Sequence, residues 1–265
     1  MVKAAVVQLC SGPEVDVNLA MAQKLLGEAA ERGAQLALLP ENFAFMGRHE
    51  SDKLAIAEEA GSGQIQEWLA TQARQHGLWL FGGSIPLRSP DGRVFASLLV
   101  MDPHGHCRAR YDKMHLFDVD LPGGEQYRES RTIAPGGQVV AVPTPWGVVG
   151  LSICYDLRFP ELFRAYAGAE FLVVPSAFTA QTGAAHWYAL LRARAIENQA
   201  FVLAADQGGR HANGRETFGG STIVDSWGQV LVHLDQHPGV AVAECDLDGQ
   251  QAQRRSLPVW QHRRL

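Results

Sequence analysis

The chain has 265 residues, a formal net charge of −5 and a pI near 6.0. Without a basic field or a run of like charges it lacks what draws phosphate backbones, so nucleic acid is not an expected partner. The opening MVKAAVVQLC reads as a short apolar strand with no cleavage site. No stretch reaches the roughly 18 to 20 apolar residues that span a bilayer, so the sequence predicts no membrane association and a cytoplasmic location.

No Ser-, Pro- or Gly-rich linker divides the chain, which predicts one domain over residues 1–265. A chain of this size buries about three quarters of its unfolded surface and needs no staple. The four cysteines, Cys10, Cys107, Cys154 and Cys245, form no CxxC pair and have no histidine at zinc-ligand spacing. Neither a disulfide framework nor a metal is expected.

In chain order, apolar runs alternate with helical patterns. Strands are predicted at 3–9 and 35–39 with a helix at 18–32 between them. A helix at 64–76 and a strand at 79–85 follow, then a hairpin of 94–101 and 106–111 around Asp102-Pro103-His104-Gly105. The second half repeats the logic: strand 148–153, helix 160–167, strand 171–174, helix 184–199 and strand 201–205. Strands at 220–224, 229–233 and 240–245 form a late edge, and the tail from 250 to 265 is polar, basic and aromatic. Near-continuously apolar strands imply sheets buried on both faces, which layers of helix, sheet, sheet and helix satisfy.

Three segments carry candidate chemistry. Cys154 ends the apolar strand Val148-Val149-Gly150-Leu151-Ser152-Ile153 and precedes Tyr155-Asp156-Leu157-Arg158-Phe159-Pro160. Such a turn presents a thiol at the mouth of a sheet, where backbone N–H groups favour a thiolate and a developing oxyanion; a buried structural cysteine fits the same segment. Glu41, in Pro40-Glu41-Asn42, lies at the carboxyl end of an apolar strand, where α/β folds place ligands. It suits a general base or an ordinary loop acid. Lys113, after the hairpin, is by itself a typical solvated lysine. Together the three form a coherent hydrolytic set: the glutamate takes the thiol proton, the thiolate attacks an amide carbon, and the lysine stabilises the oxyanion. No histidine is required.

Pro40-Glu41-Asn42, Tyr111-Asp112-Lys113-Met114-His115-Leu116 and Cys154-Tyr155-Asp156-Leu157-Arg158-Phe159-Pro160-Glu161 resemble, in order, the three signature blocks of the nitrilase (carbon-nitrogen hydrolase) superfamily. The resemblance implies an α/β fold, the four-layer α-β-β-α sandwich of the nitrilase type. It implies a Glu41, Lys113, Cys154 triad, a backbone oxyanion donor at Tyr155, no cofactor, and a helping carboxylate at Glu129. Read without the family, Arg128-Glu129-Ser130-Arg131 is a charged loop.

Within the superfamily, Pro175-Ser176-Ala177-Phe178-Thr179, Thr182-Gly183, His186-Trp187 and the tail Leu257-Pro258-Val259-Trp260 look like the branch acting on deaminated glutathione. The neighbouring omega-amidases act on 2-oxoglutaramate and 2-oxosuccinamate. Carbamoylase, aliphatic amidase or nitrilase activity, or a catalytically silent binding protein, are the alternatives. These substrates are small anionic amides, so Arg158 and Thr182 are expected to hold the 2-oxo acid end, with Phe178, His186 and Trp187 lining the pocket. For Arg158 an ion pair with Asp156 or Glu161 competes, and for His186 and Trp187 a place in the core. Pocket size depends on loops 43–60 and 207–218. The resemblance also implies a homodimer or higher homo-oligomer, with Phe163, Tyr166 and Trp260 as candidate anchors.

Overall fold

Apart from Lys3, every residue of strand β1 (Val2–Gln8) is buried, and its side chains alternate between two cores. Val2, Ala4 and Val6 share one core with Leu151, Val173 and Trp187. Ala5 and Val7 share another with Leu19, Ala22 and Leu26 of helix α1 (Val15–Glu31) and Ile65 and Leu69 of helix α2 (Gln64–His76). This period of two, apolar on both faces, is why the strands read as continuous hydrophobic runs. Burying each large aliphatic side chain contributes about 1.5–3 kcal/mol.

The computed structural model describes residues 1–121 and 124–264. Among these, the first sheet holds β1, β2 (Leu36–Leu38), β3 (Trp79–Phe81), β4 (Ile85–Arg88), β5 (Val94–Met101), β6 (Cys107–Asp112) and a last strand at Gly239–Cys245. Strands β1, β2 and β3 run parallel, and the late strand pairs antiparallel with β1. A short hairpin of β7 (Asp118–Asp120) and β8 (Gln126–Arg128) follows. The second sheet holds β9 (Ala141–Thr144), β10 (Gly147–Leu151), β11 (Phe171–Ser176), β12 (Phe201–Asp206) and two strands at Thr222–Val224 and Val230–His233. Between the last two groups lies the ribbon of β13 (Gly208–Arg210) and β14 (Glu216–Phe218). Helices α3 (Pro160–Arg164) and α4 (Ala180–Asn198) cover the outer face of the second sheet, giving the α-β-β-α order.

Three differences from the sequence expectations have local causes. The run 79–85 breaks at Gly82-Gly83: Gly83 has φ +56, and a Cβ there would lie 2.1 Å from the Pro40 carbonyl oxygen. The neighbouring Ser84 Oγ accepts the Asn42 N–H at 3.0 Å, so this turn cradles the loop carrying Glu41. Helix α4 starts at Ala180 rather than 184, because Thr179 Oγ1 caps it by accepting from Thr182 N at 3.3 Å. The polar tail contains a helix, α5 (Leu247–Ser256), capped by Asp246. It docks through Gln250 and Arg254 to the carbonyls of Ala169, Glu170 and Gln199 rather than through an apolar stripe, so periodicity could not reveal it.

Phe163 and Tyr166 are core residues of the chain itself, Tyr166 donating its hydroxyl to the Leu151 carbonyl, so neither is available as a subunit anchor. Trp260 is partly buried, with Arg164 over its ring and its Nε1 donating to Asn198 O at 3.1 Å. Among the described residues no helix is long and apolar enough to cross a membrane.

The Gly83 contact yields a direct test. Gly83→Ala should destabilise the chain by about 2 kcal/mol or more in urea unfolding, through strain at positive φ and the clash with Pro40. The folded fraction should lose activity as Glu41 shifts; unchanged stability and turnover would show that the loop tolerates the displacement.

Candidate active site

The carboxyl ends of the parallel strands converge on one cleft. Glu41 follows β2, Cys154 follows β10, and the segment Ala177-Phe178-Thr179 follows β11; Lys113 follows β6 from the edge of the first sheet. Gln207, at the end of β12, stitches the two sheets here, donating from Nε2 to the Glu41 carbonyl at 3.0 Å and to Ser11 Oγ at 2.9 Å.

The Cys154 backbone is left-handed, with φ 50, a conformation that few residues other than glycine adopt. Asp156, wholly buried, holds this turn. Its carboxylate accepts from Ile153 N at 2.8 Å, Tyr111 Oη at 2.7 Å and His115 N at 3.0 Å, and lies 2.7 Å from His115 Nδ1. One carboxylate thus ties the nucleophile turn to the segment that carries Lys113. Arg194 secures the other side, donating to the Leu157 carbonyl from Nε at 3.1 Å and from Nη2 at 2.9 Å.

Lys113 Nζ donates to Glu41 Oε1 at 2.8 Å and to Glu129 at 2.8 and 3.0 Å. Glu129 is oriented in turn by the Phe117 N–H at 2.6 Å. Burial opposes the Lys113 charge, but Glu129 and Glu41 outweigh it and hold the ammonium well above its ordinary pKa. Burial also opposes ionisation of Glu41, yet Lys113 keeps that carboxyl below the usual range. Glu129 stands higher than usual, raised by burial and by Glu41 against the pull of Lys113. The Cys154 thiol is pushed well up by burial and then by the nearby Glu41 charge. The resting pair is therefore a thiol beside a carboxylate, the arrangement a general base requires.

The cleft, open on one side to solvent, is walled by the four residues above together with Tyr155, Arg158, Phe178 and Thr182. Arg158 makes no ion pair with Asp156 or Glu161; it stacks over Phe178 and Tyr155, with Nη1 3.2 Å from His186 Nδ1. His186 thus stands behind Arg158 and does not itself line the cleft. Trp187 is a correction to the sequence reading: it is fully buried in the core and donates its Nε1 to the Gly220 carbonyl at 2.9 Å, so it cannot line the pocket.

Sequence reasoning missed Asp156 as an organiser, and Glu50, Lys53, Tyr127 and Arg215 as parts of the wall. Asp156 had a signal, lying two residues after Cys154 in the motif. Glu50, Lys53 and Arg215 sit in the two loops expected to set pocket size, where no periodicity marks an inward side chain. Among the described residues no group of three His, Cys, Asp or Glu side chains is placed to hold a metal ion.

A family model described as carbon-nitrogen hydrolase matches residues 3–255. The bovine deaminated glutathione amidase is 43% identical over 267 residues, covering 98% of this chain and 81% of its own. The solved Caenorhabditis elegans NitFhit protein superposes with a TM-score of 0.92 at 38% identity over 99% of this chain, which spans 65% of that longer polypeptide. A variant of the amidase from Nesterenkonia sp. AN1, solved after Michael addition of acrylamide at its active-site cysteine, gives a TM-score of 0.79 at 30% identity, covering 98% of this chain and 99% of that one. Fold and site define a hydrolase of carbon–nitrogen bonds, other than peptide bonds, in linear amides. The chain belongs to the carbon-nitrogen hydrolase family of the nitrilase superfamily.

Two predictions follow from the charges and the hub. Glu41→Gln removes a carboxylate that raises the Cys154 thiol, so the midpoint of its pH-dependent alkylation should move down while amide turnover falls by about a hundredfold or more. A midpoint that stays put would detach Glu41 from the sulfur. Asp156→Ala strands several buried donors, and should cost about 3 kcal/mol in unfolding and at least tenfold in kcat. Full activity in the folded variant would mean that the turn keeps its shape without the hub.

Proposed function

We propose that this enzyme hydrolyses the amide of a 2-oxo acid, deaminated glutathione foremost, through a thioester on Cys154. The observation that carries the reading is the placement of the Arg158 guanidinium, free of any carboxylate partner among the described residues, in the same cleft as Cys154, Glu41 and Lys113. A guanidinium on aromatic faces is suited to gripping a carboxylate bidentately. Thr182, whose hydroxyl lies 2.8 Å from that of Thr179, stands in the same wall to meet the 2-oxo end.

In this mechanism Glu41 takes the thiol proton as sulfur attacks the amide carbon. The oxyanion forms against Lys113 and the Tyr155 N–H, and collapse breaks the C–N bond as Glu41 returns the proton to the leaving amine. Glu41 then draws a proton from water, which attacks the thioester; the acid and free thiol are regenerated. Glu129 holds Lys113 in place. The bovine relative named deaminated glutathione amidase, similar over nearly the whole chain, supports this substrate. Four free cysteines suit a reducing compartment, which favours the cytoplasm.

The test compares deaminated glutathione with 2-oxoglutaramate, following cysteinylglycine and ammonia respectively. Deaminated glutathione should be preferred, and Cys154→Ala should abolish both reactions. Preference for 2-oxoglutaramate would make the protein an omega-amidase with the mechanism intact, and turnover surviving in Cys154→Ala would overturn the mechanism. Arg158→Gln should raise KM by about tenfold or more with a smaller change in kcat, the pattern of a lost substrate carboxylate contact.

A further inference from the structure

Five cationic side chains line the cleft: Lys53, Lys113, Arg128, Arg158 and Arg215. Three are matched by carboxylates of the protein. Lys113 is shared by Glu41 and Glu129, Lys53 pairs with Glu50, and Arg128 pairs with Asp120 at 2.7 Å. Arg158 and Arg215 have no carboxylate within ion-pair distance among the described residues. They come from separate parts of the chain, Arg158 from the turn Cys154–Arg158 and Arg215 from the turn leading into β14. Each rests on its own aromatic surface, Arg158 on Phe178 and Tyr155, Arg215 on Tyr127 at 5.2 Å.

Arg215 is the less satisfied. One Nη2 hydrogen bond fixes it to the Ala177 carbonyl, but its Nε is buried without a hydrogen-bond partner. Buried donors are ordinarily paired, and a guanidinium leaves a pair of N–H groups open for a planar anion. A 2-oxo amide that loses ammonia carries a single carboxylate and would leave one of these two guanidiniums unmatched. Deaminated glutathione carries two, one on the 2-oxo acid and one on the glycine beyond the scissile bond.

We propose that Arg215 binds a carboxylate on the leaving amine, so that the substrate is read as a dianion, with Arg158 holding the acyl end. This rests on the substrate class proposed above and assigns the residue that separates a peptide-like amine from ammonia. Arg215 is therefore a specificity-determining residue for the amine side, and its charge matters before C–N cleavage, in binding.

The experiment uses three substrates: deaminated glutathione, its glycinamide analogue in which the terminal carboxylate is a neutral carboxamide, and 2-oxoglutaramate. The wild type should prefer the acid over the glycinamide by about tenfold or more in kcat/KM, chiefly through KM. Arg215→Gln should bring that ratio close to one, whatever its absolute rate, whereas Arg158→Gln should keep the ratio while lowering kcat/KM for all three. A wild type indifferent to the terminal carboxylate overturns the subsite even if Arg215→Gln fails to fold. A ratio preserved in folded Arg215→Gln overturns it as well. Hydrolysis of none of the three by the wild type overturns the substrate reading itself, and the subsite with it, an outcome distinct from loss of the acid preference alone.

Discussion

An ammonium ion removed from water is costly, and the Lys113 ammonium, 2% exposed, is stable here because Glu41 and Glu129 both close on it. Much else depends on that arrangement. The Glu41 charge beside Cys154 adds to burial in keeping the thiol protonated. The sulfur is thus not a standing thiolate of the kind found beside an imidazolium; it becomes nucleophilic only as its proton passes to Glu41. The same cluster binds together loops from three distant stretches of chain, so the catalytic charges also act as a clasp between the first sheet and the 129 turn.

The fold supplies what the clasp alone cannot, a fixed direction for the sulfur. Cys154 holds a left-handed backbone that ordinarily costs of order 1–3 kcal/mol and persists only where surroundings over-determine it. Asp156 on one side and Arg194 on the other provide that surrounding through hydrogen bonds to the turn's own backbone. Asp206 gives similar support to the next strand end, accepting the Phe178 N–H at 2.9 Å. Burial, and then the neighbouring Glu41 charge, push the Asp206 carboxyl well above the usual range.

The layered architecture was legible because strands buried on both faces leave an unbroken apolar pattern, as in Val2–Gln8 and Phe171–Ser176. The positions of Glu41, Lys113 and Cys154 at strand ends were legible for the same reason. Helix α5 was not, since its attachment runs through Gln250 and Arg254 to main-chain carbonyls. Trp187 misled because a tryptophan one turn into a helix beside the site looks the same whether it faces cleft or core; only the acceptor at Gly220 decides. Arg215 lay beyond sequence altogether, as its loop approaches the site only once β13 and β14 pair and Tyr127 comes under its guanidinium.

The reactive groups and the group that reads the amine side thus stand on different kinds of backbone. Cys154, Glu41 and Lys113 stand at sheet ends, whereas Arg215 comes from the loop between β13 and β14, outside both cores. Insertions and substitutions in such loops are tolerated far better than changes at strand ends. A scaffold divided in this way can acquire a new substrate by drift or by design in a few loop positions while its hydrolytic chemistry is inherited unaltered. That separation gives a physical route by which one sandwich could diversify into enzymes for many different amides.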